Sequence, residues 1–251
     1  MGALHEGHLS LIRRARRESD VVVVSIFVNP TQFDRKADFQ SYPKPFSHDA
    51  RLARAAGTDL LFIPRSSAMY PPDFQTSVEV SALSRRWEGK ARPGHFRGVT
   101  TVVTKLFHLV QPDIVYFGQK DAQQARIVKQ LMKDLNVDIQ LVVCPTVREA
   151  DGLAMSSRNQ LLSSEARRSS RVLFEALQEA RRLVRYGEKR GPFLVGRMKN
   201  RIAQVPGVRI DYVTLVDPET LEPVEVIRKR AWALVSVWVG SVRLIDHATL
   251  P

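Results

Sequence analysis

Apolar positions fall into two rhythms along the first half of the chain. VVVVSIFV (residues 21–28) and IQLVVC (139–144) are short and continuously apolar, as strands are when helices cover both faces of their sheet. Leu9, Ile12 and Ala15 instead recur at helical spacing. Read this way, the pattern predicts helix 8–18, strand 21–28, helix 46–56 ended by Gly57, and strand 59–63. A second set follows as helix 98–109, strand 113–117, helix 119–133 and strand 137–143. Such alternation predicts an α/β fold with a doubly wound parallel (Rossmann-like) sheet, whose ligands bind beyond the carboxyl ends of its strands.

After residue 146 the grammar changes. Ser163 is placed to cap one long helix carrying Leu173, Leu177, Ala180 and Val184 at helical spacing. A Gly-Pro break at 191–192 precedes another helix, followed by strand-like RIDYVTLV (209–216) and AWALVSVWV (231–239) and a short tail, RLIDHATLP. The expectation is two domains: residues 1–146, Rossmann-like, and residues 147–251, a smaller α+β domain.

Composition adds bounds. The longest apolar run is far too short for a membrane span, and the N-terminus lacks the apolar core of a secretory signal. A single cysteine, Cys144, excludes an internal disulfide and a cysteine-based metal cluster. The net charge of +12 raises nucleic acid as a partner, but the basic residues are dispersed over the polar faces of predicted helices and no nucleic-acid motif accompanies them.

The chemistry gathers where strands give way to loops. In HEGH, His5 and His8 stand at i and i+3, whereas a zinc-binding helix of the HExxH type needs i and i+4. The tetrapeptide fits phosphate contact at a helix start or a pair of surface histidines. In NPTQF (29–33), a turn explains Asn29 and Pro30 but not Gln32, whose amide suits a small polar substrate. In FGQKDAQQ (117–124), Gly118 permits a tight turn and close approach. Asp121 suits a helix cap there, and of Gln123 and Gln124 at most one reaches a site. Lys120 sits where a helix dipole disfavours a cation, which points to a bound anion. VREADGLAMSSRNQ (147–160) reads as a polar, flexible, basic loop, either a phosphate-binding segment through Ser156, Ser157 and Arg158 or an ordinary linker. Together these groups are able to neutralise a triphosphate by positioning and electrostatics.

HEGH, NPTQF, RPGHFRGVTTVV (92–103), FGQKDAQQ and PTVREADGLAMSSRN (145–159) occur in that order. Their order and spacing closely resemble the pantothenate synthetase (pantoate–β-alanine ligase) family, of the HIGH-type nucleotidyltransferase superfamily, over essentially the whole chain. The resemblance implies a cytoplasmic homodimer that joins pantoate to β-alanine with ATP and Mg²⁺. A pantoyl adenylate forms first; the β-alanine amine then expels AMP. Other HxGH nucleotidyltransferases share the histidines but are not expected to carry FGQKDAQQ and MSSRN at this spacing.

Carried over by position, the resemblance makes Met1, Gly2, Ala3, Leu4, His5, Glu6, Gly7 and His8 an ATP loop, with His8 a proton donor and His5 its partner on the phosphates. Gly118, Gln119, Lys120 and Asp121 match a nucleotide-binding segment, with Lys120 on the phosphates and Asp121 at the ribose. Val147 matches an adenine contact. Met155, Ser156, Ser157 and Arg158 match a second phosphate loop similar to KMSKS. Gln32 and Gln124 match pantoate-holding residues, Gln32 also near β-alanine, and Asp49 matches an acid linked to Mg²⁺. Family members carry roughly a strand and helix more ahead of the first ATP loop, so a first sheet strand is expected to be absent from residues 1–146, leaving a truncated form as the alternative reading.

Overall fold

A computed structural model describes residues 2–33, 39–40 and 42–251 of the chain; Met1 lies outside them. The chain divides into two compact units, Met1–Pro145 and Thr146–Pro251.

The first unit builds on two parallel strand pairs. Helix α1 (Glu6–Glu18) buries Leu9, Ile12 and Ala15, the residues whose spacing marks it in the sequence. Strand β1 (Val23–Ser25) follows, then α2 (Phe46–Ala55) and β2 (Leu60–Phe62), which runs parallel to β1 with Val23 opposite Leu60. Helix α3 (His95–Val110) leads to β3 (Ile114–Gly118), and α4 (Ala122–Asp134) leads to β4 (Gln140–Cys144). β4 is parallel to β3, from Ile114 opposite Gln140 to Gly118 opposite Cys144. The mixed α/β class is therefore as the alternation predicts, but among the described residues the parallel sheet is two separate pairs rather than one. The apolar run at 21–28 yields only three paired strand residues: among the described residues β1 pairs with β2 alone, so its hydrogen-bond ladder extends only as far as β2 does.

The second unit packs α5 (Val172–Arg185) and α6 (Gly191–Ala203) on an antiparallel sheet, β5 (Val208–Val216), β6 (Ala231–Val239) and β7 (Val242–Leu250), in that order. Leu173, Leu177, Leu194, Met198 and Ile202 from the helices meet Leu215, Val235 and Val237 of the sheet in one buried cluster.

Three local expectations fail here. Ser163 caps only a short helix, Ser164–Ser169, and the chain breaks before α5. At that break the Ser170 hydroxyl, fully buried, donates to the Arg167 carbonyl, satisfying itself locally as serines do outside helix interiors. Gly191 and Pro192 form the first turn of α6 rather than precede it; proline is tolerated there because its missing N–H would have no helical partner. The RLIDHATLP tail is mostly β7, hydrogen-bonded along β6 from Val239–Val242 to Ala231–Leu250.

One ion pair binds the start of this unit to its last strand. The Arg148 guanidinium donates to both oxygens of Asp246 at 2.6 and 2.9 Å, the Asp246 side chain has no exposed surface, and the guanidinium lies 5.0 Å from the centre of the Phe174 ring. Replacing Arg148 by Met strands a buried carboxylate, so Arg148→Met is expected to cost about 3–5 kcal/mol, read as a lower urea midpoint for the second unit.

Candidate active site

The loops that the sequence marks in the first unit all leave the carboxyl ends of β1 and β3 or open the helix α1. His5 is the N-cap of α1: its Nδ1 accepts the Gly7 N–H at 3.2 Å, while the His5 N–H donates to His8 Nδ1 at 3.3 Å. The rings lie 4.0 Å apart. With each Nδ1 used as an acceptor, the neutral rings carry their protons on Nε2. Burial, reinforced by the positive charge of Lys120 and by the proximity of a second imidazole, holds the His8 pKa well below the ordinary 6.5. Lys120, 112 positions away in the chain, is thus one of the charges whose field His8 feels.

Lys120 occupies a 3₁₀ turn, Gln119–Asp121, between β3 and α4 and makes no ion pair among the described residues, a cation held at a helix start without a protein anion. Gly118 differs from expectation. Its φ of −78° is available to any residue, and a Cβ there would meet nothing within 4 Å. The turn does not require glycine; what the missing side chain leaves is open space before the strand end. Asp121 stands at the N-cap of α4, but its side chain makes no capping bond. Gln123 turns inward: its amide nitrogen donates to the Leu83 and Arg86 carbonyls at 2.9 Å, and its oxygen accepts from Glu88 N–H at 3.1 Å. Gln124 is the half-exposed one of the pair, as one-of-two reach requires.

Gln32 sits in the 3₁₀ turn Pro30–Gln32. Its backbone is held from below: the Gln32 carbonyl accepts from His95 Nδ1 at 2.7 Å and from Arg92 at 3.2 Å. Asn29, buried, donates to the Gly98 carbonyl at 3.0 Å, so it does more than end a strand. A Cβ on Gly98 would stand 2.3 Å from the Thr31 carbonyl oxygen; glycine is what lets α3 press against this turn. The Gln32 side-chain amide makes no hydrogen bond among the described residues. Asn29, Arg92, His95 and Gly98 went unmarked by sequence reasoning as site supports, although NPT and RPGH carried the polar and glycine signals that reveal them.

Asp49 has a different job from the one expected. Its two carboxylate oxygens accept the Ala3 and Leu4 N–H groups at 2.8 and 2.7 Å, and the residue is 1% exposed. Those bonds hold Ala3 at φ +50°, a conformation a non-glycine residue adopts only when its surroundings impose it. A carboxylate so buried and so committed does not fit a Mg²⁺ ligand. Among the described residues no group of three His, Cys, Asp or Glu gathers around a metal position.

In the second unit, described by itself, residues 147–160 form a braced hairpin rather than a flexible linker. Val147 and Met155 share a backbone bond at 3.0 Å, as do Glu149 and Leu153 at 2.8 Å. Arg167 pairs with both Glu149 and Asp151, which holds the Asp151 carboxyl below its ordinary range. Asn159 ties back to Glu149 at 2.6 Å and to the Ala154 carbonyl at 3.2 Å. Gly152, at φ +93°, leaves room for Phe174, whose ring a Cβ would strike at 2.1 Å. Ser156 caps the 3₁₀ turn Ser157–Leu161 by accepting from the Arg158 N–H at 3.3 Å.

Two outcomes follow from these contacts. Asn at position 49 offers one acceptor oxygen to two N–H groups, so Asp49→Asn is expected to cost about 1–3 kcal/mol and to speed amide exchange at Ala3 and Leu4. His95 is buried beside Arg92, which together hold its pKa at about 4. The folded state therefore refuses a proton that the unfolded chain accepts near 6.5. Its contribution is complete above that pH and is lost as pH falls from 6.5 to 4, by about 3 kcal/mol. Urea unfolding at pH 7 and pH 4.5 measures this, and His95→Gln flattens the dependence.

The sequence model of the family described as Pantoate-beta-alanine ligase matches residues 1–249. The pantothenate synthetase of Thermotoga neapolitana is 52% identical over 250 residues, 100% of this chain and 89% of that protein; that of Moorella thermoacetica is 51% identical, over 100% and 88%. Among solved structures, pantothenate synthetase from Thermus thermophilus superposes with a TM-score of 0.96 at 45% identity, covering 99% of this chain and 90% of that one. Pantoate-beta-alanine ligase from Francisella tularensis, described as complexed with beta-gamma ATP and beta-alanine, gives 0.80 at 35% identity, covering 99% and 86%. With a family model over residues 1–249 and relatives 52% identical over the whole chain, and with NPTQF and FGQKDAQQ beyond the ends of β1 and β3 and HEGH opening α1, the chain belongs to the pantoate–β-alanine ligase family.

Proposed function

We propose that the chain joins pantoate to β-alanine at the expense of ATP through a pantoyl adenylate. Lys120 carries the reading: a half-buried cation, without an ion pair among the described residues, at the amino end of α4, whose charge helps to keep His8 neutral. A triphosphate supplies the anion that this position lacks. In the first step a pantoate carboxylate oxygen bonds to the α-phosphorus while the bond to the bridging β-phosphate oxygen breaks, releasing pyrophosphate. In the second, the β-alanine amine attacks the acyl carbon, the acyl–phosphate C–O bond breaks, AMP leaves, and the amine gives up its proton.

The chain's own residues act by holding and neutralising. The Nε2–H groups of His5 and His8 donate to phosphate oxygens, with the positive end of α1 behind them. His8 stays neutral at working pH, so it serves as a fixed donor and repels neither Lys120 nor the incoming nucleotide's counter-ion. Gln32 and Gln124 offer amides to pantoate, and the His95–Arg92 brace keeps the Gln32 turn from yielding. Gly118 and Asp121 border the nucleotide, and Met1 to Leu4 complete its loop. Val147, Met155, Ser156, Ser157 and Arg158 form a second set of ATP contacts on their braced hairpin. Mg²⁺, if carried by the ATP phosphates, would neutralise part of their charge and would need no protein cage. Homodimeric assembly belongs to the same proposal and is read by sedimentation velocity.

Removing the Lys120 charge is expected to slow pantoate-dependent ATP–pyrophosphate exchange by about 10²–10³-fold, with melting little changed because the side chain makes no hydrogen bond or ion pair among the described residues. Lys120→Ala exchanging at the parent rate would overturn its role, and AMP release without pantoate or without β-alanine would overturn the reaction.

A further inference from the structure

Of the paired glutamines in FGQKDAQQ, Gln123 is the buried one, 4% exposed, in the first turn of α4 beside Gln124. Both its amide hydrogens are used, on the Leu83 and Arg86 carbonyls at 2.9 Å, and its oxygen accepts the Glu88 N–H at 3.1 Å. The reverse orientation of the amide sets oxygen against two carbonyls and nitrogen against an N–H, so the network admits one orientation alone. Three backbone groups distant in sequence are a large commitment for a side chain that lies next to a binding turn.

Two of those bonds flank Trp87. This residue stands at φ +44°, ψ −107°, a conformation that a non-glycine residue holds only when its surroundings impose it. The Gln123 amide grips the residue before it and the residue after it. The segment is also close-packed: a Cβ on Gly89 would lie 1.7 Å from the Ser84 carbonyl oxygen. From Trp87 a run of hydrogen bonds leads to Gln32. The short helix Glu88–Ala91 begins there; the Glu88 carbonyl accepts the Arg92 N–H at 2.8 Å, and the Arg92 carbonyl accepts the His95 N–H at 3.1 Å. The Arg92 guanidinium donates to His95 Nε2 at 3.1 Å, which leaves the Nδ1–H of His95 for the Gln32 carbonyl at 2.7 Å.

We propose that Gln123 is a positioning residue: through the Leu83–His95 segment it fixes the spacing between the amide of Gln124, its neighbour in α4, and that of Gln32, on the turn after β1. Its own polar atoms are spent on backbone groups, so it acts through Gln32 and not on the substrate. The adjacent glutamines then divide one task, Gln124 offering an amide and Gln123 setting where its counterpart stands. That the two amides hold pantoate rests on the ligase reading; the path between them does not.

Gln123→Met keeps the length of the side chain and removes all three bonds. In steady-state assays of the full chain it is expected to raise KM for pantoate about tenfold while KM for ATP stays within about twofold. The second readout needs no activity. The His95 Nδ1–H, buried against the Gln32 carbonyl, is followed as a downfield proton resonance, and its exchange with solvent is expected to speed about tenfold in Gln123→Met. Gln123→Glu guards against a variant that merely fails to fold. At pH 6, where burial beside Glu88 keeps the new carboxyl protonated, it retains two of the three bonds and is expected to hold KM for pantoate within about threefold of the parent. Equal rises in both KM values, or unchanged KM values with only a lower melting temperature, overturn the positioning role. Unaltered exchange of the His95 proton overturns the path to Gln32. A parent chain without pantoate-dependent activity overturns the ligase reading instead, and the His95 proton still decides the path.

Discussion

The candidate site depends on one buried carboxylate. Asp49 reaches from α2 to the two amides of Ala3 and Leu4, 45 or more residues away in sequence, and so fixes the path of the chain into α1. Charge-assisted hydrogen bonds of this kind are about twice as strong as neutral ones, and this pair is shielded from water. Everything downstream inherits its position from that clamp: Ala3 in a left-handed conformation, His5 as the cap, and His8 one turn along. A helix amino end holds an anion best when it does not move as the anion arrives, and Asp49 supplies that rigidity through its two backbone bonds.

The other marked loops, each within its own unit, follow the same division of labour. Gln32 is held by its carbonyl, leaving its amide uncommitted; Ser156 is held by its own cap and Asn159 by Glu149 and Ala154. Backbone groups and a supporting set of polar residues take the structural load. Neutral histidines fit this scheme, since their protonation would add charges beside Lys120 and Arg92 that burial cannot accommodate.

Much of this was legible in the residues alone. Helical spacing marked α1 and α5, and continuous apolar runs marked β1 and β4, because each rhythm records a face that must be covered. The loop motifs marked the site because glycine, proline and paired polar residues have few other reasons to stand together after a strand. What stayed hidden was set by partners distant in sequence. Asp49 resembles a metal-binding acid until Ala3 and Leu4 are seen to occupy it. Gly118 resembles a turn glycine until its φ is known. The division of the sheet into two pairs follows from which edges meet, and a residue's edge partner is not written in its neighbours. β7 was missed for a related reason: RLIDHATLP alternates buried and half-buried positions against β6, but its Asp246 and His247 are polar residues inside the fold, which disguises the strand.

The ion pair between Arg148 and Asp246 spans nearly the whole second unit, and β7 is the final strand of that unit's sheet. During synthesis the two units therefore mature differently. The described helices and strands of the first unit end at residue 144, so it can begin to condense while the rest is still being made. The second holds a buried arginine without its counter-charge, and α5 without part of its floor, until residues 242–250 emerge. For that interval it is an unfinished core whose exposed apolar faces are the chain's chief exposure to misassembly.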